Sequence, residues 1–508
     1  MSVITRRTTL RFLVLAWVVF AMARPASGFI LSSVDPDPWL STASGSRPGN
    51  GAPATLTWSI VPDGTSVTSD TGFGTAPSNL IAFLNTNFGG IPAQQDLAQQ
   101  PWFQLFDESF GRWEELSGVN YVYEPFDNGV LHPSQNGALG VRGDIRIGGF
   151  NIDGAGDTLA FTWLPPSGSD MVMDTGDVEF FTDETNSHRN FRDTLMHEIG
   201  HGFGLLHVNS SSALLMEPVI NTSFDGPQLD EVRGAQFFFG DANEKSNGGQ
   251  GNSSPALATN VGMIAGGSIA HVGADANVPG QAIDANATDF VSIANLADDD
   301  YYRFTVSQPS LLNAVLTPRG GVFTQSSGAS PTPFDANARN DLALTLFDVN
   351  GTSVLANADA NLAGVAESVF AVVLSAAGTY YARVAGSDDT IQLYELTLSI
   401  AALTTGDYNG DGMINAADYT VWRNSLGQSV TAGSGADGTG PFGVPDGLVD
   451  RLDYEFWKAN YGQATGSGAG QLSTSIANIP EPNTLVLVFI GLATLSWRAM
   501  GGARIYRT

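Results

Sequence analysis

Apolar residues recur at helical spacing at Phe103, Phe106, Phe110, Trp113 and Leu116, and Gly118 closes the run, which predicts one long amphipathic helix. Thr55–Val61 (TLTWSIV), Val119–Tyr123 and Asp144–Ile147 concentrate β-branched and aromatic residues and predict strands on either side of it. A second long helix is predicted from near Phe191. From Asn260 to Ile400 the pattern changes to short alternating segments between Gly, Asp and Asn turns. Asp300–Val306, Ala343–Asp348, Gly378–Val384 and Tyr394–Ile400 are the clearest of these, and together they predict an all-β sandwich. The polar stretches 29–52, 242–256 and 466–479 are expected as linkers.

The helix that starts near Phe191 carries His197-Glu198-Ile199-Gly200-His201-Gly202-Phe203-Gly204-Leu205-Leu206-His207. Histidines four apart share one helix face, so His197 and His201 can bind one metal ion. Gly204 tolerates positive φ, which lets the chain leave the helix and return His207 as third ligand. Three protein ligands leave a fourth position open, as catalytic zinc requires. Glu198 adjoins the first ligand, where a carboxylate can take a proton from water. This spacing resembles the metzincin signature, and Ala213-Leu214-Leu215-Met216-Glu217-Pro218 looks like the clan's Met-turn, which implies that Met216 underlies the metal without ligating it. The order strand, long helix, strands, active-site helix, Met-turn and final helix resembles the matrixin catalytic domain from about Thr55 to Asp241.

The resemblance implies further metal sites and limits them. Asp153–Phe161 lines up with the matrixin calcium and structural-zinc loop, and Gly176–Phe180 with the strand that follows. Phe161 and Glu179 stand where the family has histidines, so no second zinc is expected. Asp153, Asp177 and Glu184 keep oxygen donors for calcium, with solvated loop carboxylates as the open alternative; Phe181 replaces one expected aspartate. Ile220 stands where matrixins often have a pocket tyrosine, so their substrate preference does not carry over. The chain has no cysteine, which excludes disulfides and a cysteine-based latency switch.

The 508 residues are expected to form several domains, and the formal net charge of −29 argues against nucleic-acid partners. Arg6, Arg7 and Arg11 precede the apolar run Phe12–Met22 and the small residues Ala23, Ala26, Ser27 and Gly28, the order of a secretory signal; an uncleaved anchor is the alternative. Pro480-Glu481-Pro482, the apolar stretch Leu485–Trp497 and the closing Arg498, Arg504 and Arg507 resemble a PEP-CTERM sorting signal. That resemblance implies a transmembrane helix, a sorting enzyme as partner and a Gram-negative type of cell envelope; a retained anchor is the alternative.

Asp407-Tyr408-Asn409-Gly410-Asp411-Gly412-Met413-Ile414-Asn415-Ala416-Ala417-Asp418 places oxygen side chains at calcium-loop positions 1, 3, 5, 9 and 12, with Gly412 at the sharp turn. Asp407, Asn409, Asp411, Met413 (through its carbonyl), Asn415 and Asp418 are the candidate ligands. Thirty-five residues later the unit recurs with Asp446, Asp450 and Asp453, but Phe442 and Val444 occupy positions 1 and 3. Recruitment of Asp437 through an insertion, weak binding and no binding remain open there. The duplicated loop-helix unit resembles a type I dockerin, which implies a cohesin module as partner. The strands DDDYYRFTV and GTYYARV look like the pre-peptidase C-terminal domain of secreted peptidases.

The expected organisation is therefore multidomain: a signal peptide (1–28), a matrixin-like α+β metzincin domain (53–241), a β-sandwich (257–402), a small α-helical dockerin with EF-hand-like calcium loops (403–465) and a sorting signal (480–508). The expected function is a secreted or envelope-associated zinc endopeptidase with Zn²⁺ and structural Ca²⁺, acting on proteins or peptides. The alternative is a calcium-dependent surface scaffold or adhesion protein with a vestigial peptidase domain.

Overall fold

The computed structural model describes residues 2–5, 28–31 and 39–463, apart from 69–73, 92–94, 134–136, 166–167, 211–213, 279–281, 327–331, 403–405, 432–433 and 441–444. The leader's apolar run, the linker 466–479, the sorting signal, Ala213, Phe442 and Val444 lie outside the described residues. Among the described residues no helix is long and apolar enough to cross a membrane.

The first half is built on β1 (Ser2–Thr5), β2 (Ile30–Leu31), β3 (Ala54–Ile60), α1 (Leu80–Asn87), α2 (Phe103–Leu116), β4 (Val119–Tyr123), β5 (Ile145–Phe150), β6 (Thr158–Thr162), β7 (Met171–Asp174), α3 (Val178–Phe181), α4 (Arg189–Phe203), β8 (Leu205–Leu206), β9 (Asn209–Ser210) and α5 (Leu229–Phe239). One six-stranded sheet runs in the order β1-β6-β7-β5-β3-β4. Its core is parallel (β7 with β5, β5 with β3, β3 with β4), whereas β6 and β1 are antiparallel additions. Parallel strands are covered on both faces, which is why β5 and β7 are buried at every position. The apolar stripe of α2 lies on the sheet through Trp58, stacked on Phe103, Phe106 and Phe110. Trp113 of the same stripe meets Phe203 edge-on and donates its indole N–H to Met196 O, locking α2 to α4.

Three expectations are corrected here. Gly176–Phe180 is not a strand: Val178–Phe181 is a short helix, and the strand is the earlier apolar run Met171–Asp174. Residues 29–52 are not a free linker. Phe29 is buried, Ile30–Leu31 pairs antiparallel with Leu205–Leu206, and Trp39 donates its indole N–H to Gly202 O. The polar segment 242–256 is likewise folded in part, with a 3₁₀ turn at Ala242–Lys245, a helical turn at Ser246–Gly249 and Asn252 buried. Short polar segments lack apolar periodicity, so packing imposed from elsewhere in the chain does not register in their sequence.

The second half is a sandwich of β10 (Thr259–Met263), β11 (Ser268–Val272), β12 (Val291–Ile293), β13 (Asp299–Val306), β14 (Ser310–Arg319), β15 (Val322–Ser326), β16 (Thr332–Asp335), β17 (Leu342–Phe347), β18 (Val354–Ala358), β19 (Glu367–Leu374), β20 (Gly378–Gly386) and β21 (Gln392–Ala402). One sheet runs β10-β13-β20-β17-β18, the other β11-β21-β14-β19 with β12 also on β21. Strict alternation in β13, β14 and β17 puts Tyr302, Phe304, Leu312, Leu316, Leu344 and Leu346 into one buried layer. The two halves share an interface: Leu116 and Val232 pack with Ile283, Phe290 and Leu393, and Gln236 donates to Phe290 O. The hairpin β15–β16 reaches across, and β15 pairs antiparallel with β9, two residues beyond His207.

Candidate metal centre

Helix α4 is buried from Asp193 to Phe203, an environment that polar side chains enter only with partners. Its glycines have local reasons. A Cβ on Gly200 would stand 2.6 Å from Met216 Sδ, so only glycine lets the Met216 turn pass beneath the helix. Gly204 sits at φ 104° and ends the helix in the left-handed region, as its place in the sequence predicts. The chain then turns through β8 and brings His207 back over His197 and His201.

The three Nε2 atoms converge: His197 to His201 is 2.9 Å, His197 to His207 3.1 Å and His201 to His207 3.3 Å. His197 donates Nδ1–H to Leu215 O at 2.6 Å, and His201 donates Nδ1–H to Leu205 O at 2.7 Å. Those bonds fix the tautomer, leaving bare Nε2 lone pairs facing each other. Burial holds His197 and His201 well below the usual imidazole range and His207 down to about 4, so the rings are neutral. Neutral acceptors this close repel unless a cation lies between them. The spacings approach the ~3.3 Å edge of a tetrahedron whose Zn–N bonds are about 2.0–2.1 Å. The residues present therefore fit zinc.

Glu198 is fully buried beside this trio, and burial pushes its carboxyl up to about 8. Its Oε2 accepts the Thr162 hydroxyl at 2.6 Å, while Oε1 has no hydrogen-bond partner. Thr162 ends β6, so the sheet edge orients this carboxylate. No sequence motif signalled Thr162. A second support lies below the metal: Glu231 of α5 accepts from Met216 N at 3.0 Å and from Gln228 N at 3.0 Å, and Val208 N donates to Met216 O. The Met216 turn is thereby tied to the capping box of α5.

Against this geometry stand the comparisons with known proteins. The matrixin family model matches residues 88–240. Residues 88–240 thus match a matrixin domain. The match takes in the ligand helix, Glu198 and the Met216 turn. The matrixin domain is similar to the hatching enzyme of Paracentrotus lividus (30% identical over 167 residues, 32% of this chain and 26% of that protein). It is also similar to stromelysin-1 of Equus caballus (30% over 153 residues, 29% of this chain and 30% of that protein). The chain thus spans less than a third of the length of these curated relatives. Among solved structures, the chain is similar to the pre-peptidase C-terminal domain of collagenase from Bacillus anthracis, at 14% identity and TM-score 0.15, covering 28% of this chain and 95% of that one. PliG from Aeromonas hydrophila, a periplasmic inhibitor of g-type lysozyme, is similar at 11% identity and TM-score 0.14, covering 28% and 99%.

The calcium trio expected within the matrixin domain is not assembled. Asp153 accepts from Thr158 N and Asp177 from Gly156 N, whereas Glu184 is exposed and lines a surface hollow with Phe88, Trp102 and His188. Asp174, which the sequence reading passed over, holds the Asp153 loop instead. It accepts from Ile152 N, Asp153 N and Gly176 N, and burial raises its carboxyl to about 6. Phe161, at an expected family histidine position, packs among Val61, Val67, Phe150 and Val172.

The repeated acidic loops near the C-terminus share one hydrogen-bond scheme. In the first, Asp407 accepts from Gly410 N, Asp411 N and Gly412 N, and Asp418 accepts from Asn409 N and Asn415 N. Helix α6 (Ala416–Ser425) follows, capped by Asn415 and Asp418. In the second, Asp437 accepts from Asp446 N and Gly447 N, and Asp453 from Gly438 N, Thr439 N and Asp450 N. Helix α7 (Arg451–Asn460) carries the matching capping box of Asp450 and Asp453. Asp437 thus accepts from Asp446 N and Gly447 N as Asp407 accepts from Asp411 N and Gly412 N.

Proposed function

We propose that the protein is an exported zinc endopeptidase that cuts protein or peptide chains. The observation that carries this reading is the convergence of three imidazole Nε2 atoms beside a buried carboxylate with one unpartnered oxygen. Zn²⁺ bound by His197, His201 and His207 would supply Lewis acidity, polarising the scissile carbonyl and acidifying water. Glu198 Oε1 receives the proton of the attacking water and passes it to the departing amine. Thr162 fixes the other oxygen, so the carboxylate does not swing away between the two transfers. Strand β6 offers the substrate an edge. Ser2–Thr5 lies antiparallel along Thr158–Thr162, which supports an extended chain as the ligand of that edge.

The remaining modules form the rest of the proposal. The leader and the PEP-CTERM-like tail would direct export and sorting at the cell envelope, with a membrane helix present until the tail is removed. The paired acidic loops would form a calcium-loaded dockerin that binds a cohesin module. Candidate ligands are Asp407, Asn409, Asp411, Met413, Asn415 and Asp418 in the first loop, and Asp437, Asp446, Asp450 and Asp453 in the second.

Glu198→Gln tests the central claim. It removes the base and leaves the imidazoles, so zinc content should stay at parent level while casein cleavage falls by about 10³-fold or more. Parent-level cleavage by the variant overturns the mechanism. Stoichiometric zinc in a parent protein that cleaves nothing points instead to the scaffold reading.

A further inference from the structure

A second group of ionisable side chains gathers where the matrixin domain meets the sandwich. Glu244, on the 3₁₀ turn Ala242–Lys245, Asp298, just before β13, and Asp300, within β13, bring one carboxylate oxygen each within 4.8 Å of one another. Glu244 and Asp298 are partly buried and Asp300 fully. Gly251 closes one side, since a Cβ there would stand 2.4 Å from Glu244 Oε2. The neighbouring cations are engaged elsewhere: Lys245 donates to Glu114 O and Val119 O, and Arg383 pairs with Asp299. Burial and mutual repulsion push Glu244 up to about 9, Asp298 to about 7 and Asp300 well above the carboxylate range.

An independent observation concerns what the buried atoms lack. One Asp300 oxygen accepts the Tyr394 hydroxyl, and the other, Oδ1, has no hydrogen-bond partner. Asn252 is fully buried, and neither its amide oxygen nor its amide nitrogen is partnered. It directly follows Gly251, and its carbonyl accepts from Tyr301 N, the residue after Asp300. Buried polar atoms in native folds are satisfied in the great majority of cases. Here one orphaned acceptor, Asp300 Oδ1, belongs to a trio of carboxylates that repel one another, which is the arrangement a cation relieves.

We propose that Glu244, Asp298 and Asp300, with Asn252 beside them, bind a divalent cation of calcium's size that fastens the sandwich to the matrixin domain. The carboxylate and amide oxygens suit Ca²⁺, and the absence of imidazole or thiolate from the trio disfavours Zn²⁺. Glu244 lies on the connecting turn that Lys245 ties to Glu114 O and Val119 O of the first half, and the two aspartates lie in the sandwich, so loading the site joins the halves. This site is independent of proteolysis and stands even if the chain hydrolyses nothing.

The experiment uses the full chain with Ca²⁺ as probe. Equilibrium dialysis should give one fewer Ca²⁺ per chain for Glu244→Gln/Asp298→Asn/Asp300→Asn than for the parent, with zinc content unchanged. Amides of 242–252 and 294–301 should exchange at least about tenfold faster in calcium-free parent than in calcium-loaded parent, and the variant should show no such response. The near-isosteric Asp298→Asn alone should weaken calcium protection of those amides in a chain whose other segments exchange as in the parent. This arm holds if the triple variant fails to fold.

A pH series adds a second readout. Without cation, the folded cluster holds protons that the unfolded chain releases between about pH 4 and about pH 9, so thermal stability should fall as pH rises through that window. Asp241 and Asp299 steepen the fall, while Lys245 faces Glu114 and Asp241, and Arg383 pairs with Asp299. Saturating Ca²⁺ should flatten it. Unchanged calcium stoichiometry in the triple variant, or a pH slope that calcium leaves alone, overturns the proposal. The second result would mean that the cluster is held by protons.

Discussion

The histidine trio and the acidic trio each gather three ligand atoms, by opposite routes. His197, His201 and His207 fall within one helix and the turn after it; His201 is clamped by Leu205 O of that turn and His197 by Leu215 O of the Met216 turn. Glu244 lies on the turn that connects the two halves, and Asp298 and Asp300 lie in the sandwich more than fifty residues later, with no shared element. The first set is preorganised by local geometry and keeps its shape through a neutral form. The second is an assembly of repelling charges that depends on the domain interface. Local preorganisation suits a site that must cycle through turnovers; a charge-stabilised junction suits one that has to hold.

The largest expected effect separates the two sites. His201→Ala should abolish zinc retention and casein cleavage, yet the calcium-induced rise in Tm should remain within about 1 °C of the parent's. If the calcium response is lost with the histidine, the sites are coupled and the comparison fails. Thr162→Val removes the hydroxyl that orients Glu198. A hydrogen bond to a charged group is worth roughly 1.5–3 kcal/mol, so kcat/KM should fall by about tenfold or more with zinc retained. Gly200→Ala sets a methyl against Met216 Sδ and should lower unfolding stability by about 1–3 kcal/mol, read by urea denaturation. The smallest effect belongs to the C-terminal loops: Asp437→Asn should reduce the calcium bound by the second loop, with Asp407→Asn doing the same in the first and cleavage unaffected by either.

What the sequence made legible follows the same division. Helix α2, the ligand helix, the left-handed turn at Gly204 and the His207 return were readable because each lies within a few residues of the signal that causes it. The sandwich strands were readable through alternation, as in Asp300–Val306 and Ala343–Asp348. Thr162 was not, because its role comes from a strand edge meeting a helix 36 residues away. Asp174 was missed for a related reason: it reads as the end of an apolar run, while two of its three amide partners, Ile152 N and Asp153 N, lie 22 and 21 residues upstream. The misread strand at Gly176–Phe180 shows how short apolar runs of helix and strand look alike without length to separate them. Nothing in the composition of 29–52 or 242–256 marked Trp39 or Asn252 as buried, since a lone residue carries no period.

The pairing of β9 with β15 has a topological outcome. Two residues past the third imidazole, the matrixin-like half is laced to a hairpin that belongs to the other half. A nick anywhere in the connecting stretch between Asp241 and Thr259 would cut the covalent path and leave the two fragments stitched together. Shedding the C-terminal modules by proteolysis therefore requires a cut beyond the sandwich, between Ala402 and the acidic loop that begins at Asp407.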